Sequence, residues 1–183
     1  MRLSQSGLDF IKQHEKRPHE EDVFKAYKDS VGKWTIGYGN TRNVNPYMVI
    51  NKKEAERLLN KDLERHQERV NRLVKHPLTQ SQFDALVSFD FNTGGLRYID
   101  PQTNKAVDSE LLKHLNKGNV DQAFMEELPK WDKGTIKGQK TVIPGLSNRR
   151  RAEQELAYKN ENENNYSPIP TDLLDKLLNR GNF

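Results

Sequence analysis

The sequence predicts an α+β fold, mostly helical, in which a long helix joins a small β-hairpin lobe to a helical lobe. Apolar residues recur at helical spacing over most of the chain. Residues 24–40 instead combine β-branched and aromatic side chains around the turn-forming run 29–32. From Asn51 an apolar stripe continues for about twenty residues or more, which indicates the linking helix.

The first element is predicted to be a short helix that ends near Glu15. Leu8 and Ile11 lie on one helical face, and Pro18 lacks the backbone N–H that a helix interior needs. Residues 24–40 should then form a hairpin, because aromatic and β-branched residues stand on both sides of its turn.

Capping signals place the next two helices. Asn51 suits the N-cap of the long helix, and Pro77 ends it. Thr79 and Gln82 have the spacing of a capping box that opens the following helix, which Gly94 closes.

The last third of the chain is predicted to alternate loops and helices. Residues 97–107 are polar and contain proline, which indicates a loop. Helices are expected over 109–116 and from near Asn119, and Ser147 is expected to cap a helix that reaches Tyr158.

These elements predict one domain with a short appendage. Residues 1–159 form the domain, with the β lobe over about 16–50. Residues 160–183 are predicted to be a linker and a C-terminal amphipathic helix.

Composition narrows the function classes. The 183 residues include no cysteine, which excludes disulfides, and the net charge of +4 favours an anionic partner without identifying it. The N-terminus lacks the apolar segment of a secretory signal, and no stretch reaches membrane-spanning length. We therefore expect a protein made in the cytoplasm and not inserted in a membrane.

Two carboxyl groups are candidates for acid–base chemistry. A glycosidase needs a protonated acid for the leaving oxygen and a second carboxylate that activates water or attacks carbon. Glu15, at the end of an apolar helix face, and Asp29, in a hairpin turn, have environments that suit these two roles. Thr35 would bring a hydroxyl near Asp29 if the hairpin closes.

Five segments resemble the phage-type lysozymes, or endolysins. GLDFIKQHE at 7–15 and AYKDSVGKWTIGYG at 26–39 are similar to the active-site region of this family. Blocks at 78–94, 111–118 and 144–153 agree with it in the same order. The resemblance implies a two-lobe lysozyme fold and a muramidase, which hydrolyses the β-1,4 bond between N-acetylmuramic acid and N-acetylglucosamine in peptidoglycan.

The same resemblance places the catalytic set at Glu15, Asp29 and Thr35 and implies no cofactor. One departure affects the acid. Thirteen residues separate Glu15 from Asp29, more than is usual in the family, whereas Glu20 satisfies the shorter spacing. Glu15 is preferred because it keeps the match to the first helix, and residues 16–22 would then be a loop at the cleft rim.

Three further residues are predicted to bind substrate: Tyr38 by stacking on a sugar, Asn92 by a hydrogen bond to an acetamido group, and Arg149 from the second lobe. Tyr38 could instead pack against its own lobe, and Arg149, like Arg150, could simply order the second lobe. The five histidines lack metal-ligand spacing, so no metal is expected.

The expected partner is the peptidoglycan glycan strand, reached in the periplasm or cell wall by a monomer that a holin or a secretion system delivers. A phage endolysin and the lytic domain of an antibacterial effector both fit. The alternative is a non-catalytic wall-binding module on the same fold. Nucleic-acid binding is not expected, because basic and aromatic residues do not interleave in a strip.

Overall fold

The structure, a computed structural model, describes residues 1–15, 23–29, 32–136 and 138–159 and has the predicted mostly helical α+β class. The helices are α1 (Gln5–Glu15), α2 (Lys52–Leu73), α3 (Gln80–Thr93), α4 (Glu110–Asn116) and α5 (Pro144–Ala157), with a π-helix over Gln122–Glu127 and a 3₁₀ helix over Leu128–Trp131. Short antiparallel strand pairs complete the described chain. None of the described helices is both long and apolar enough to cross a membrane.

The hairpin predicted around Asp29 is confirmed. Strands β2 (Tyr27–Lys28) and β3 (Trp34–Thr35) pair antiparallel, with Tyr27 opposite Thr35. Strands β1 (Val23–Lys25) and β4 (Val49–Asn51), which precede and follow this hairpin in the sequence, form a second antiparallel pair. Phe24 is buried in this pair while its neighbours along the strand are exposed.

Two more hairpins were not predicted. β5 (Arg97–Ile99) pairs with β6 (Ala106–Asp108) in the segment expected to be a loop, and β7 (Lys133–Ile136) pairs with β8 (Gln139–Val142). All of their residues are exposed or half-buried, so these strands lack the alternation of buried and exposed residues that marks a strand in sequence. The loop prediction for 97–107 was therefore wrong.

The chain divides into two compact units within α2. One unit is Arg2–Arg69, and the other is Met1 with the residues from Val70 onward. The core of the first unit comes from α1, the strands and α2, and that of the second from α3, α4, the π-helix and α5. Fully buried apolar residues include Ile11, Phe24, Ile36, Leu59 and Leu63 in the first unit and Phe83, Leu86, Phe89, Leu111, Leu112 and Phe124 in the second.

The predicted caps of α2 and α3 are confirmed, and α4 has a cap that was not predicted. Asn51 Oδ1 accepts a hydrogen bond from Glu54 N at 2.9 Å, and Thr79 forms the capping box that begins α3. Gly94 ends α3 in the left-handed conformation, with φ of 63°. Ser109 caps α4 through its side chain.

The predicted start of α5 is wrong by one turn. The helix begins at Pro144, whose fixed φ suits a first helical position, so Ser147 lies inside it. Ser147 Oγ instead donates to Asp132 Oδ2 at 3.1 Å. The predicted linker and C-terminal helix over 160–183, and Pro18, lie outside the described residues.

Gly95 provides a test of packing beside α3. A Cβ at this position would lie 2.7 Å from Cζ3 of Trp131 and 2.8 Å from Thr93 Oγ1. Gly95→Ala should therefore lower the free energy of unfolding by about 1–3 kcal/mol, because an indole in a packed unit has little room to shift. Urea denaturation measures it.

Gly145→Ala is the matched control, because a Cβ there meets nothing within 4 Å and the residue lies in the first turn of α5. It should leave stability unchanged or raise it by up to about 1 kcal/mol. Equal stability of the two variants would contradict the assigned contact with Trp131.

Candidate active site

Glu15 is the last residue of α1 and is half-buried. The helix is anchored by Ile11, which is fully buried one turn earlier. A Cβ on Gly39 would lie 3.9 Å from Glu15 Oε2, so this carboxyl group lies close to the turn that follows β3. The fold thus brings Glu15 next to a segment twenty-four positions later in the chain.

Asp29 is fixed by the turn that it opens. Its backbone N–H donates to Lys33 O at 3.0 Å, and its own carbonyl accepts from Gly32 N at 3.0 Å. Lys33 N in turn donates to Asp29 Oδ1 at 2.9 Å. The carboxylate therefore closes the hairpin, which fixes its position relative to β3.

Thr35 lies in β3 and is 3% exposed. Its Oγ1 donates to Lys33 O at 3.1 Å, so the hydroxyl proton is occupied and the oxygen lone pairs remain as acceptors. The next residues form a tight loop in which Ile36 and Asn40 exchange both backbone hydrogen bonds, at 2.9 and 3.0 Å. Asp29, Thr35 and Gly39 are therefore held by one short run of backbone.

Tyr38 is 7% exposed, and its ring centroid lies 5.2 Å from that of Phe24. Burial raises the pKa of its phenol, while the nearby Lys12 ammonium opposes that rise. This environment matches the alternative in which Tyr38 packs against its own lobe. Its contact with a sugar stays a prediction.

The second unit contains the other predicted binding residues around a buried ionic cluster, defined by Ser88, Arg149, Arg150 and Glu153. Ser88 Oγ donates to Glu153 Oε1 at 2.7 Å, and Arg149 Nε donates to the same oxygen at 3.4 Å. Burial raises the pKa of Glu153, whereas both arginines and the Ser88 hydroxyl act to lower it. Arg149 thus has an ordering contact in its own unit, and its sugar contact stays a prediction.

Asn92 is exposed near the end of α3, and its Oδ1 accepts a hydrogen bond from Arg150 Nη2 at 2.8 Å. The sequence left open whether Arg150 faces the cleft or orders the second lobe, and its contact with Asn92 was not predicted because the two residues are fifty-eight positions apart. Among the described residues, no cluster of three histidine, aspartate or glutamate side chains could hold a metal ion.

Comparison with known proteins identifies the family of this chain. The family model for phage lysozyme matches residues 19–153, well over half of the chain. The chain belongs to the phage lysozyme family. It is 38% identical over 156 residues to the endolysin of Acyrthosiphon pisum secondary endosymbiont phage 1, a match that covers 85% of this chain and 97% of that protein.

Two further matches define the extent of the phage lysozyme likeness. The endolysin of Bacillus phage B103 is 38% identical over 167 residues, which is 90% of this chain but only 57% of that relative. The muramidase domain of SpmX from Asticaccaulis excentricus superposes with a TM-score of 0.71 at 33% identity, covering 87% of this chain and 99% of that domain. The chain is thus comparable in length to one relative and spans little more than half of another.

The span matched by the phage lysozyme model contains one of the two candidate acids. The matched span begins at His19, so it includes Glu20, Asp29 and Thr35 but not Glu15. Glu20 lies outside the described residues. Glu15 is the glutamate whose position beside Gly39 is defined.

The ionic cluster gives a stability prediction. Glu153→Gln would leave two arginines in the second unit without a full counter-charge, so the free energy of unfolding should fall by about 3–5 kcal/mol. Glu155→Gln, on an exposed position of the same helix, should change it by less than about 0.5 kcal/mol. Urea denaturation measures the free energy of unfolding of both variants. Equal decreases in the two variants would contradict a stabilising role for the cluster.

Proposed function

We propose that this chain is a muramidase, which hydrolyses the β-1,4 bond between N-acetylmuramic acid and N-acetylglucosamine in peptidoglycan and so lyses the cell wall. The observation that carries the proposal is the placing of Glu15 beside Gly39, in the same unit as the hairpin of Asp29 and Thr35. Membership of the phage lysozyme family supports it, as does the likeness to a muramidase domain.

Each of the three side chains has a different role in the proposed reaction. Glu15, half-buried at a helix end, is the general acid that protonates the oxygen of the leaving sugar. Asp29, held by Lys33 N, offers carboxylate charge either to a water molecule or to the cationic transition state. Thr35 donates its proton to Lys33 O, so its oxygen can accept a hydrogen bond from that water.

The choice of Glu15 over Glu20 is part of the proposal. Glu15 ends the helix that Ile11 anchors, and its carboxyl group lies beside the loop that follows Thr35. Glu20 is favoured by the family spacing to Asp29 and lies within the family match. One comparison of two isosteric variants separates these assignments.

Glu15→Gln and Glu20→Gln are compared with the unmodified chain on purified peptidoglycan, by reducing ends released and by mass spectrometry of the muropeptides. If Glu15 is the acid, its variant should lose at least about a hundredfold in rate, because a glutamine cannot deliver the proton. Glu20→Gln should stay near the unmodified rate. The reverse order would assign the acid to Glu20, and a parent chain that binds peptidoglycan without releasing reducing ends would be a wall-binding module.

Asp29→Asn separates the catalytic from the structural role of the hairpin. The asparagine Oδ1 can still accept from Lys33 N, so the free energy of unfolding should change by less than about 1 kcal/mol. The rate should fall by about a hundredfold or more, because the charge opposite the scissile bond is gone. Circular dichroism melting and the same reducing-end assay measure the two effects. A variant with full activity would remove Asp29 from the mechanism.

The glycan strand is the proposed partner, and Tyr38, Asn92 and Arg149 are the residues proposed to bind it in addition to the catalytic groups.

We place the catalytic domain at 1–159 and the appendage at 160–183. We propose that the protein acts as a monomer on peptidoglycan in the periplasm or cell wall. Delivery by a holin or by a secretion system belongs to the same proposal. Sedimentation of the purified chain tests the oligomeric state.

A further inference from the structure

The second unit contains a cavity of about 540 Å³. Residues of the π-helix, the 3₁₀ helix, the hairpin β7–β8 and α5 form its walls. None of the residues proposed to act on the glycan strand lines it. Its volume is within the range of small-molecule sites, roughly 300–1,000 Å³, so the cavity is large enough for a ligand of its own.

The lining of this cavity has an excess of positive charge. Its charged side chains are four cations and two carboxylates, namely Lys130, Lys133, Arg150, Arg151, Glu126 and Asp132. Lys130 is paired with Glu127 at 2.7 Å. Lys133 and Arg151 are exposed, and neither forms an ion pair within the part of the chain that the structure describes. Two cations at the surface of the cavity therefore have charge to offer an anion.

Arg150 adds a buried cation with unused donors. It is only 1% exposed; its Nη2 donates to Asn92 Oδ1 at 2.8 Å, and its Nε lies 3.0 Å from Glu153 Oε2. Neither of these partners lines the cavity. The remaining nitrogen, Nη1, is buried and has no hydrogen-bond acceptor among the described residues. Buried polar groups are nearly always paired, so two unused N–H donors in the wall of a cavity indicate a missing acceptor.

The electrostatic environment of Arg150 also favours a further anion. Burial lowers the pKa of its guanidinium, and the Glu153 carboxylate opposes that fall only in part. The neighbouring Arg149 adds to the fall. An anion bound beside Nη1 would stabilise the charged form of Arg150.

The arrangement of the donors favours a phosphate over a carboxylate. A carboxylate is planar and is best matched by a single guanidinium fork, and the fork of Arg150 is already occupied by Glu153. The free donors lie instead on separate elements, with Lys133 in β7 and the two arginines in α5. A phosphate group has several strong acceptor oxygens that point in different directions, so it can accept from all three side chains.

We propose that this cavity binds a phosphate group, which accepts hydrogen bonds from Arg150 Nη1 in the wall and from Lys133 and Arg151 at the surface. A phosphate ion fills only a small part of the cavity, so the rest of the space is available to a molecule that carries the phosphate. The site goes beyond the proposed function, because none of its three donors takes part in the proposed reaction.

Binding to the full chain is measured by calorimetry at constant ionic strength, with inorganic phosphate, glucose phosphate, glucose and succinate. Both phosphates should bind, and glucose and succinate should bind at least about tenfold more weakly, because they lack the multiple charge-assisted hydrogen bonds. Tighter binding of glucose phosphate than of inorganic phosphate would support a carried phosphate. Equal binding of the two would support a site for the free ion.

Three variants locate the phosphate. Lys133→Gln and Arg151→Gln should each weaken phosphate binding about three- to tenfold, because each removes one charged donor. Lys140→Gln is the matched control, since Lys140 is exposed on β8 of the same hairpin and does not line the cavity. It removes the same charge and should change the affinity less than about twofold.

The role of Arg150 is read in the unmodified chain, because a change at this buried residue could unfold the second unit. Its guanidinium N–H signals in nuclear magnetic resonance should shift when inorganic phosphate is added, and glucose should leave them in place. Unshifted signals at saturating phosphate would overturn the inference. Equal affinities of Lys133→Gln, Arg151→Gln and Lys140→Gln would overturn it as well, and so would succinate that binds as tightly as phosphate. Release of reducing ends from peptidoglycan is a separate measurement, so failure of the muramidase proposal would leave this result unaffected.

Discussion

The packing of α3 against α5 in the second unit is organised by a carboxylate with no exposed surface. Glu153 is removed from water together with Arg150 and, almost completely, Arg149. Burying these charges is costly, and the cost is offset only while each one keeps its partners. The hydrogen bond from Ser88 makes α3 part of the cluster, so a shift of one helix along the other would take a hydrogen bond away from a buried carboxylate. This requirement fixes the position of Asn92 as well.

In the first unit, the candidate site residues are held in position by backbone hydrogen bonds rather than by buried charges. Its candidate catalytic groups lie at the end of a helix, in a turn and on a strand of two residues, places that alone would hold a side chain loosely. The turn at Asp29 compensates, because the carboxylate is one of the groups that close it. The Ile36 and Asn40 bridge then fixes the loop that lies beside Glu15. The carboxylate of Asp29 thus has both a structural role in the turn and a proposed role in the chemistry.

The sequence was informative wherever the signal is local. The caps at Asn51, Thr79 and Gly94 depend on residues a few positions apart, and each was predicted correctly. The hairpins over 97–108 and 133–142 were missed, because exposed strands carry no apolar alternation to distinguish them from loops.

In the candidate site, too, local relations could be predicted from the sequence and contacts between distant segments could not. Asp29 and Thr35 could be related from sequence, because one hairpin contains both. The proximity of Glu15 to Gly39, and the contact of Arg150 with Asn92, arise only when distant segments meet. The ionic cluster was equally hidden, since an i, i+3 and i, i+4 pattern of charges on a helix is more often a solvated face than a buried group.

The exposed hairpins β5–β6 and β7–β8 have a consequence for behaviour at high concentration. Among the described residues each is a sheet of two strands, and Ile99, Ile136 and Val142 are exposed on them. Such edges are templates for aggregation. Here charged side chains interrupt them: Arg97 pairs with Asp108 on one hairpin, and Lys133 and Lys140 are exposed on the other. Charged side chains on sheet edges disfavour strand addition between copies, so these hairpins have a lower tendency to aggregate than apolar ones would have.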